Sequence, residues 1–243
     1  MTVHWPYTAL MLLAVATGVL ISRHTMAGLP LTALERWGIG IGAFCGAMIG
    51  AKLPFVLLRW RELAGGGAWL ADGKTIMLGL AGGYFGVEIA KWALEIRSKT
   101  GDGFAVPVAA SVAVGRIACF TAGCCFGTAT TMPWGVDFGD GIARHPTQLY
   151  EATFHALAAA ALYAFWKRGQ FRGQLIKLYI LSYLAYRFLT EWIRPEPQIL
   201  AGLTAYQWAA LGLAPVFVWL WIRDQRMFAR KSNVERIAAE PSR

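Results

Sequence analysis

The stretch GRIACFTAGCCFG, Gly115 to Gly127, closes an apolar run and enters a glycine-punctuated loop, yet it carries Arg116 and three thiols, Cys119, Cys124 and Cys125. Whether that arginine faces water or hydrocarbon decides the fold. Of 243 residues, 56% are hydrophobic and only 15% are charged, too little polar surface for a soluble domain of this length. The charge therefore belongs to a membrane segment.

Working outward, apolar runs long enough to cross roughly 30 Å of hydrocarbon recur along the chain. They fall near Trp5–Ile21, Trp37–Leu58, Ile76–Leu94, Phe104–Ala122, Thr147–Trp166, Gln174–Ile193 and Tyr206–Ile222. No Lys or Arg precedes the first and Arg23 follows it, so it reads as a retained span rather than a cleaved leader. The expected fold class is all-α, a polytopic integral membrane protein of about seven transmembrane helices. No linker, low-complexity tract or internal repeat divides it, so residues 1–243 are expected to form one domain.

Short cytoplasmic loops retain Lys and Arg. With the N-terminus outside, the inner connections hold Arg23, Arg36, Arg97, Lys99, Lys167, Arg168 and Arg172, and the inner tail adds Arg223, Arg226, Arg230, Lys231 and Arg236. Outer connections hold fewer basic residues: Arg59, Arg61, Lys74, Arg144 and Arg194. The expected orientation is N-terminus outside, C-terminus cytoplasmic. The net charge of +9 is then mostly topological, with some attraction to anionic lipid, and no aromatic-basic platform points to nucleic acid.

In that topology spans two, four and six run from inside to outside. Lys52, Arg116 and Arg187 then lie roughly 8 to 9 Å below the outer ends, at 1.5 Å rise per residue. A charge near the bilayer centre costs about 2.5 to 3.5 kcal/mol on insertion scales. Three cations at one depth, with few carboxylates nearby, predict a buried anion. The run YRFLTEWIRPEP, Tyr186 to Pro197, adds Arg187, Glu191 and Arg194 at i, i+4 and i+7, the spacing of one helical face. Two compatible readings stand: an Arg–Glu lock between helices, and a guanidinium fork for phosphate.

These residues carry a resemblance. GRIACFTAGCCFG, RHPTQLYE (Arg144 to Glu151) and YRFLTEWIRPEP resemble successive signatures of the prolipoprotein diacylglyceryl transferase family. GAKLPFVLL (Gly50 to Leu58), LAGGYFGVEIA (Leu80 to Ala90) and VHWPYTALMLL (Val3 to Leu13) resemble its earlier ones. The resemblance implies a multi-pass enzyme of the bacterial inner membrane. Its substrates would be phosphatidylglycerol and a prelipoprotein signal peptide, and it would need no cofactor. The diacylglyceryl group would pass to the lipobox cysteine thiol, with release of glycerol phosphate. It further implies Arg116 as principal phosphatidylglycerol ligand, Arg187 as a second essential charge, and Glu191 and Arg194 in support. Lys52, Gly82 and Gly83 are expected to bind substrate.

The departures bear on the acceptor. The family's glycine signature begins with a histidine proposed as base, and here Ala81 stands before Gly82 and Gly83. Cys119, Ala122 and Cys124 occupy places where the family has asparagines and an acidic residue. His145 is a candidate substitute base, its unperturbed pKa near 6.5 suiting the task; the alternative is a cap at a helix entrance. Gln148, Tyr150 and Glu151 are expected beside it, closing the cavity mouth.

For the cysteines a metal site is disfavoured, since vicinal residues lack C-x2-C spacing and no local histidine completes a set. A Cys119–Cys124 disulfide, small-residue packing and a covalent nucleophile remain. Gly42, Gly46 and Gly50 fit close helix packing, and Glu88 and Lys91 fit mutual neutralisation. Alternatives to lipobox transfer are a same-fold transferase with another acceptor or phospholipid, and a non-catalytic phospholipid-binding or transport protein.

Overall fold

The computed structural model of the chain describes residues 5–58 and 73–239, with side chains up to residue 229. Arg59, Arg61 and the side chains of Arg230, Lys231 and Arg236 lie outside the described residues. Seven α-helices form among those described: α1 (Trp5–Thr25), α2 (Ala33–Leu58), α3 (Ile76–Ala93), α4 (Gly101–Thr121), α5 (Thr147–Lys167), α6 (Leu175–Thr190) and α7 (Ala205–Ala239). A 3-10 turn (Glu191–Ile193) and two antiparallel hairpins are the other regular elements among the described residues: β1 (Val136–Asp137) with β2 (Ala143–Arg144), and β3 (Gln198–Leu200) with β4 (Leu203–Thr204).

Four of the helices, α1, α2, α4 and α7, are long and apolar enough to cross a membrane. By contrast α6 has only 16 residues, and α3 carries both Glu88 and Lys91. The sixth apolar run stops short of its expected end. At Thr190 the α-helix gives way to a 3-10 turn over Glu191–Ile193, and Arg194 is extended at φ −107°, ψ 148°. Pro195 accounts for this, because its ring excludes the preceding residue from helical geometry.

The described contacts divide into two compact units. In the unit Gly28–Thr100, α2 and α3 meet backbone to backbone. A Cβ added at Gly46, Gly82 or Gly86 would run into the main chain of the facing helix. Side chains are excluded there, so packing rests on close main-chain approach. Lys91 Nζ meets Glu88 Oε1 at 3.0 Å on α3, which spares a buried ammonium from standing alone.

In the unit made of Met1–Ala27 and Gly101–Arg243, α4 packs against α1, α5 and α6. Fully buried Ala105, Ala109 and Ala118 let its neighbours close in. Two polar ties fix the other end of α6 from its arginine. Asp102 accepts the backbone N–H groups of Gly173 (2.5 Å) and Leu175 (3.0 Å), satisfying orphan donors at the helix start. Buried Lys177 pairs with buried Asp224 of α7 at 2.7 Å.

Candidate functional site

Five charged side chains of the second unit gather around the adjoining ends of α4, α5 and α6. Arg116, on α4, is 8% exposed, and its Nη2 forms an ion pair with Glu151 Oε2 of α5. The other carboxylate oxygen, Oε1, accepts from Arg194 Nη2 at 3.3 Å and from Tyr183 Oη at 3.4 Å. Glu151 is thus a hub for two guanidiniums and a phenol. Arg116 Nε is buried and has no hydrogen-bond partner among the described residues.

The second carboxylate, Glu191, holds Arg187. Their ion pair measures 2.8 Å, Thr204 Oγ1 donates to Glu191 Oε1 at 2.7 Å, and the Arg187 guanidinium lies 4.7 Å from the Tyr206 ring centroid. The expected face of Arg187, Glu191 and Arg194 is broken by the 3-10 turn and the extended residue before Pro195. Arg194 swings away instead. Its Nη1 donates to the Cys125 carbonyl (2.5 Å) and to Thr147 Oγ1 (3.0 Å), so it bolts the α4–α5 loop to the start of α5. The expectation of few nearby carboxylates also needs correcting. Three arginines face two glutamates, one excess positive charge, because hydrocarbon burial demands that most of the charge be compensated.

Helical periodicity explains why Gln148, Tyr150 and Glu151 do not act together. Gln148 and Glu151, at i and i+3, point inward with His155 and are essentially inaccessible, whereas Tyr150 lies on another side. Tyr150 Oη meets His145 Nδ1 at 3.3 Å and accepts from Trp134 Nε1 at 2.7 Å. Of the expected neighbours of His145, only Tyr150 touches it. Pro146 holds the N-cap position of α5 and no side chain caps that helix, so His145 is not its cap.

The loop 122–146 is tightly tied. Gly127 N–H donates to the His145 carbonyl at 2.8 Å, and a Cβ at Gly127 would strike the Ile193 carbonyl, His145 and Thr147. At the hairpin tip Arg144 donates to Asp140 Oδ2 through Nε (3.1 Å) and Nη2 (2.5 Å), which holds that exposed carboxyl below its usual range. All four cysteines are free thiols.

Lys52, Gly82 and Gly83 belong to the other unit. There Lys52 is a buried residue of α2, and Gly82 forms the close α2–α3 approach. The sequence reading missed Tyr183, which precedes Arg187 by one turn and whose spacing could have placed it on the same face. It also missed the buried pair His155 Nδ1 and Tyr179 Oη, 2.8 Å apart, with His155 Nε2 unpartnered.

The family described as prolipoprotein diacylglyceryl transferase matches residues 1–223. The phosphatidylglycerol--prolipoprotein diacylglyceryl transferase of Nitratidesulfovibrio vulgaris is 35% identical over 58% of this chain, and the match spans only 58% of that relative's own length. Proteins of the same description match more extensively. That of Solidesulfovibrio magneticus is 30% identical over 93% of this chain and 91% of its own, and that of Methylobacillus flagellatus 28% over 92% and 93%. The chain belongs to the prolipoprotein diacylglyceryl transferase family.

Proposed function

We propose that the chain transfers a diacylglyceryl group from phosphatidylglycerol to the lipobox cysteine thiol of a prelipoprotein signal peptide and releases glycerol phosphate. It works as a single domain of seven spans in the bacterial inner membrane, with its N-terminus outside and C-terminus cytoplasmic. Arg116 is the principal phosphate ligand and Arg187 the second essential charge. Glu151 and Glu191 orient the guanidiniums, and Arg194 with Gln148 ties down the α4–α5 loop. His145 is the available base. A thiolate attacking an sp3 carbon needs donors aimed at the phosphate oxygens that gain charge as the ester bond breaks.

One observation carries this reading. Arg116 Nε is buried without a partner inside a cluster that keeps one excess positive charge. An orphaned buried donor costs about 1 to 3 kcal/mol, a cost that a bound phosphate oxygen would remove. The test uses detergent-purified protein, phosphatidylglycerol labelled in its head group and a lipobox peptide. The expected products are labelled glycerol phosphate and a peptide thioether. Recovery of intact lipid bound to the protein, with no release, would make the chain a lipid binder and sink the proposal.

A further inference from the structure

Three of the four thiols converge, although sequence spacing argues against it. The Sγ atoms of Cys119, Cys124 and Cys125 all lie within 4.8 Å of one another. Neighbouring residues such as Cys124 and Cys125 ordinarily point their side chains apart. Here α4 ends in a turn in which Cys124 N–H donates to the Cys119 carbonyl (3.2 Å), and Gly123 and Cys125 are both left-handed at φ 62°. Such a conformation at a non-glycine residue persists only where its surroundings impose it. They do so through three bonds to the main chain of the two adjacent cysteines. Gln148 Nε2 donates to the Cys124 carbonyl (2.6 Å), and Thr147 Oγ1 (2.9 Å) and Arg194 Nη1 (2.5 Å) donate to that of Cys125.

We propose that Cys119, Cys124 and Cys125 bind one thiophilic divalent cation of the zinc class through three thiolates, leaving a fourth position for the thiol that is to be alkylated. Three sulfurs at about 2.3 Å from one tetrahedral ion are about 3.8 Å apart, so closure from the observed spacing takes about 1 Å or less per pair. Charge is matched as well. Three thiolates and a divalent ion leave one negative charge, next to the trio Arg116, Arg194 and Glu151 with its one excess positive charge. The bonds from Gln148, Thr147 and Arg194 are the outer support that orients metal ligands. Gln148 Oε1, buried and unpartnered, leaves an acceptor beside the loop.

The role at the fourth position rests on the transferase reading. A thiol that coordinates such an ion is deprotonated outright, its proton passing to solvent. The resulting thiolate sulfur forms a bond to the glyceryl methylene carbon. That carbon's C–O bond to phosphorus breaks with its electron pair, and glycerol phosphate departs. On this route metal coordination takes over the task of base assigned above to His145. Arg116 precedes Cys119 by three residues on α4, which sets nucleophile activation and phosphate binding on adjacent positions of one helix face.

The test keeps metal and turnover apart. Full-length protein is purified in detergent under a phosphine reductant, loaded with Zn(II), desalted and analysed for metal. Cd(II) titration separately follows the thiolate-to-metal absorption. One Zn(II) per chain is expected in the parent and in Cys45→Ala, with affinity at least about 100-fold weaker in Cys124→Ala and in Cys125→Ala. Gln148→Ala keeps every thiol and should still bind about 10- to 100-fold more weakly, an effect that mere thiol counting does not give. Retention of metal by all the cysteine variants, an adventitious stoichiometry far from one, or a reduced parent that binds none overturns the site. With binding established, glycerol phosphate release is compared before and after chelation. Loss on chelation and recovery with Zn(II) supports thiol activation, and unchanged release overturns that role. Absence of release from metal-loaded and metal-free protein alike refutes the transferase reading, while the binding data stand independently.

Discussion

Replacing Arg116 by Gln probes the phosphate site, because Gln keeps hydrogen-bonding capacity and removes the charge. In the parent, Arg116 and Arg194 face Glu151, so the trio carries one positive charge; after the change it carries none. Losing one preorganised, charge-assisted donor to the leaving phosphate should remove about 3 to 4 kcal/mol of transition-state stabilisation, a 10²- to 10³-fold fall in turnover. Stability should fall less than the 3 to 5 kcal/mol typical of an orphaned buried charge, because Glu151 keeps Arg194 and Tyr183; about 1 to 3 kcal/mol is expected. Arg116→Gln with Glu151→Gln is the control. It restores one positive charge through Arg194 and removes the unpaired carboxylate, so thermal stability should return towards the parent. Turnover should stay low, because the Nε donor is still missing. Head-group-labelled phosphatidylglycerol reports turnover and equilibrium lipid binding, with unfolding followed in the same detergent. If the double variant regains parental turnover, or the folded single variant binds phosphatidylglycerol as tightly as the parent, Arg116 is a lock between α4 and α5 and the phosphate assignment is wrong.

Arg194→Lys should lower stability by about 2 kcal/mol, because one ammonium cannot serve the Cys125 carbonyl, Thr147 and Glu151 together; an unchanged unfolding temperature would refute that geometry. Gly82→Val should destabilise the two-helix unit by about 1 to 3 kcal/mol by driving a side chain into the α2 main chain, while Gly40→Ala, with nothing within 4 Å of the added carbon, should be neutral or slightly stabilising. A reporter fused after Arg243 should read cytoplasmic, since the proposed inner loops and tail hold most of the basic residues; a periplasmic signal would invert the proposed topology.

The helices were legible because each coincides with a long apolar run, and six of the seven runs begin and end within a few residues of the helix found there. The exception is α7, which extends to Ala239 beyond its last apolar stretch, where the chain turns basic and hydropathy no longer reports on helix length. The arginines were legible for the same reason, as charges that apolar surroundings make conspicuous. Their partners were harder to read. Glu151 lies in RHPTQLYE near a helix start, where a carboxylate passes for a surface group, and only the packing of α4 on α5 makes it the hub. The pairing of Arg194 could not be read from a helical wheel, since it depends on the turn before Pro195. The thiol cluster was hidden for a further reason. Side-chain direction at Cys125 follows from a left-handed backbone, which sequence spacing does not encode.

On the proposed assignment, the electrostatics of the site match a phosphodiester better than the product it would become. Three arginines and two glutamates leave one excess positive charge in a region where uncompensated charge is expensive. Phosphatidylglycerol brings one negative charge, which these five side chains taken alone balance; an ion held by three thiolates would add one negative charge beside them. When the ester bond breaks, glycerol phosphate carries roughly 1.5 to 2 negative charges near neutral pH, its second pKa being about 6. The developing charge is what the unpartnered Arg116 Nε can meet in the transition state. Once formed, the product exceeds what the cluster compensates, and water solvates it better than the site does. A cluster with more arginines, or without Glu151 and Glu191, would hold glycerol phosphate more tightly and release it more slowly. On the proposed assignment the two glutamates would do more than orient guanidiniums: they would limit the excess charge to what the substrate needs, so that stabilising the leaving group does not become product inhibition.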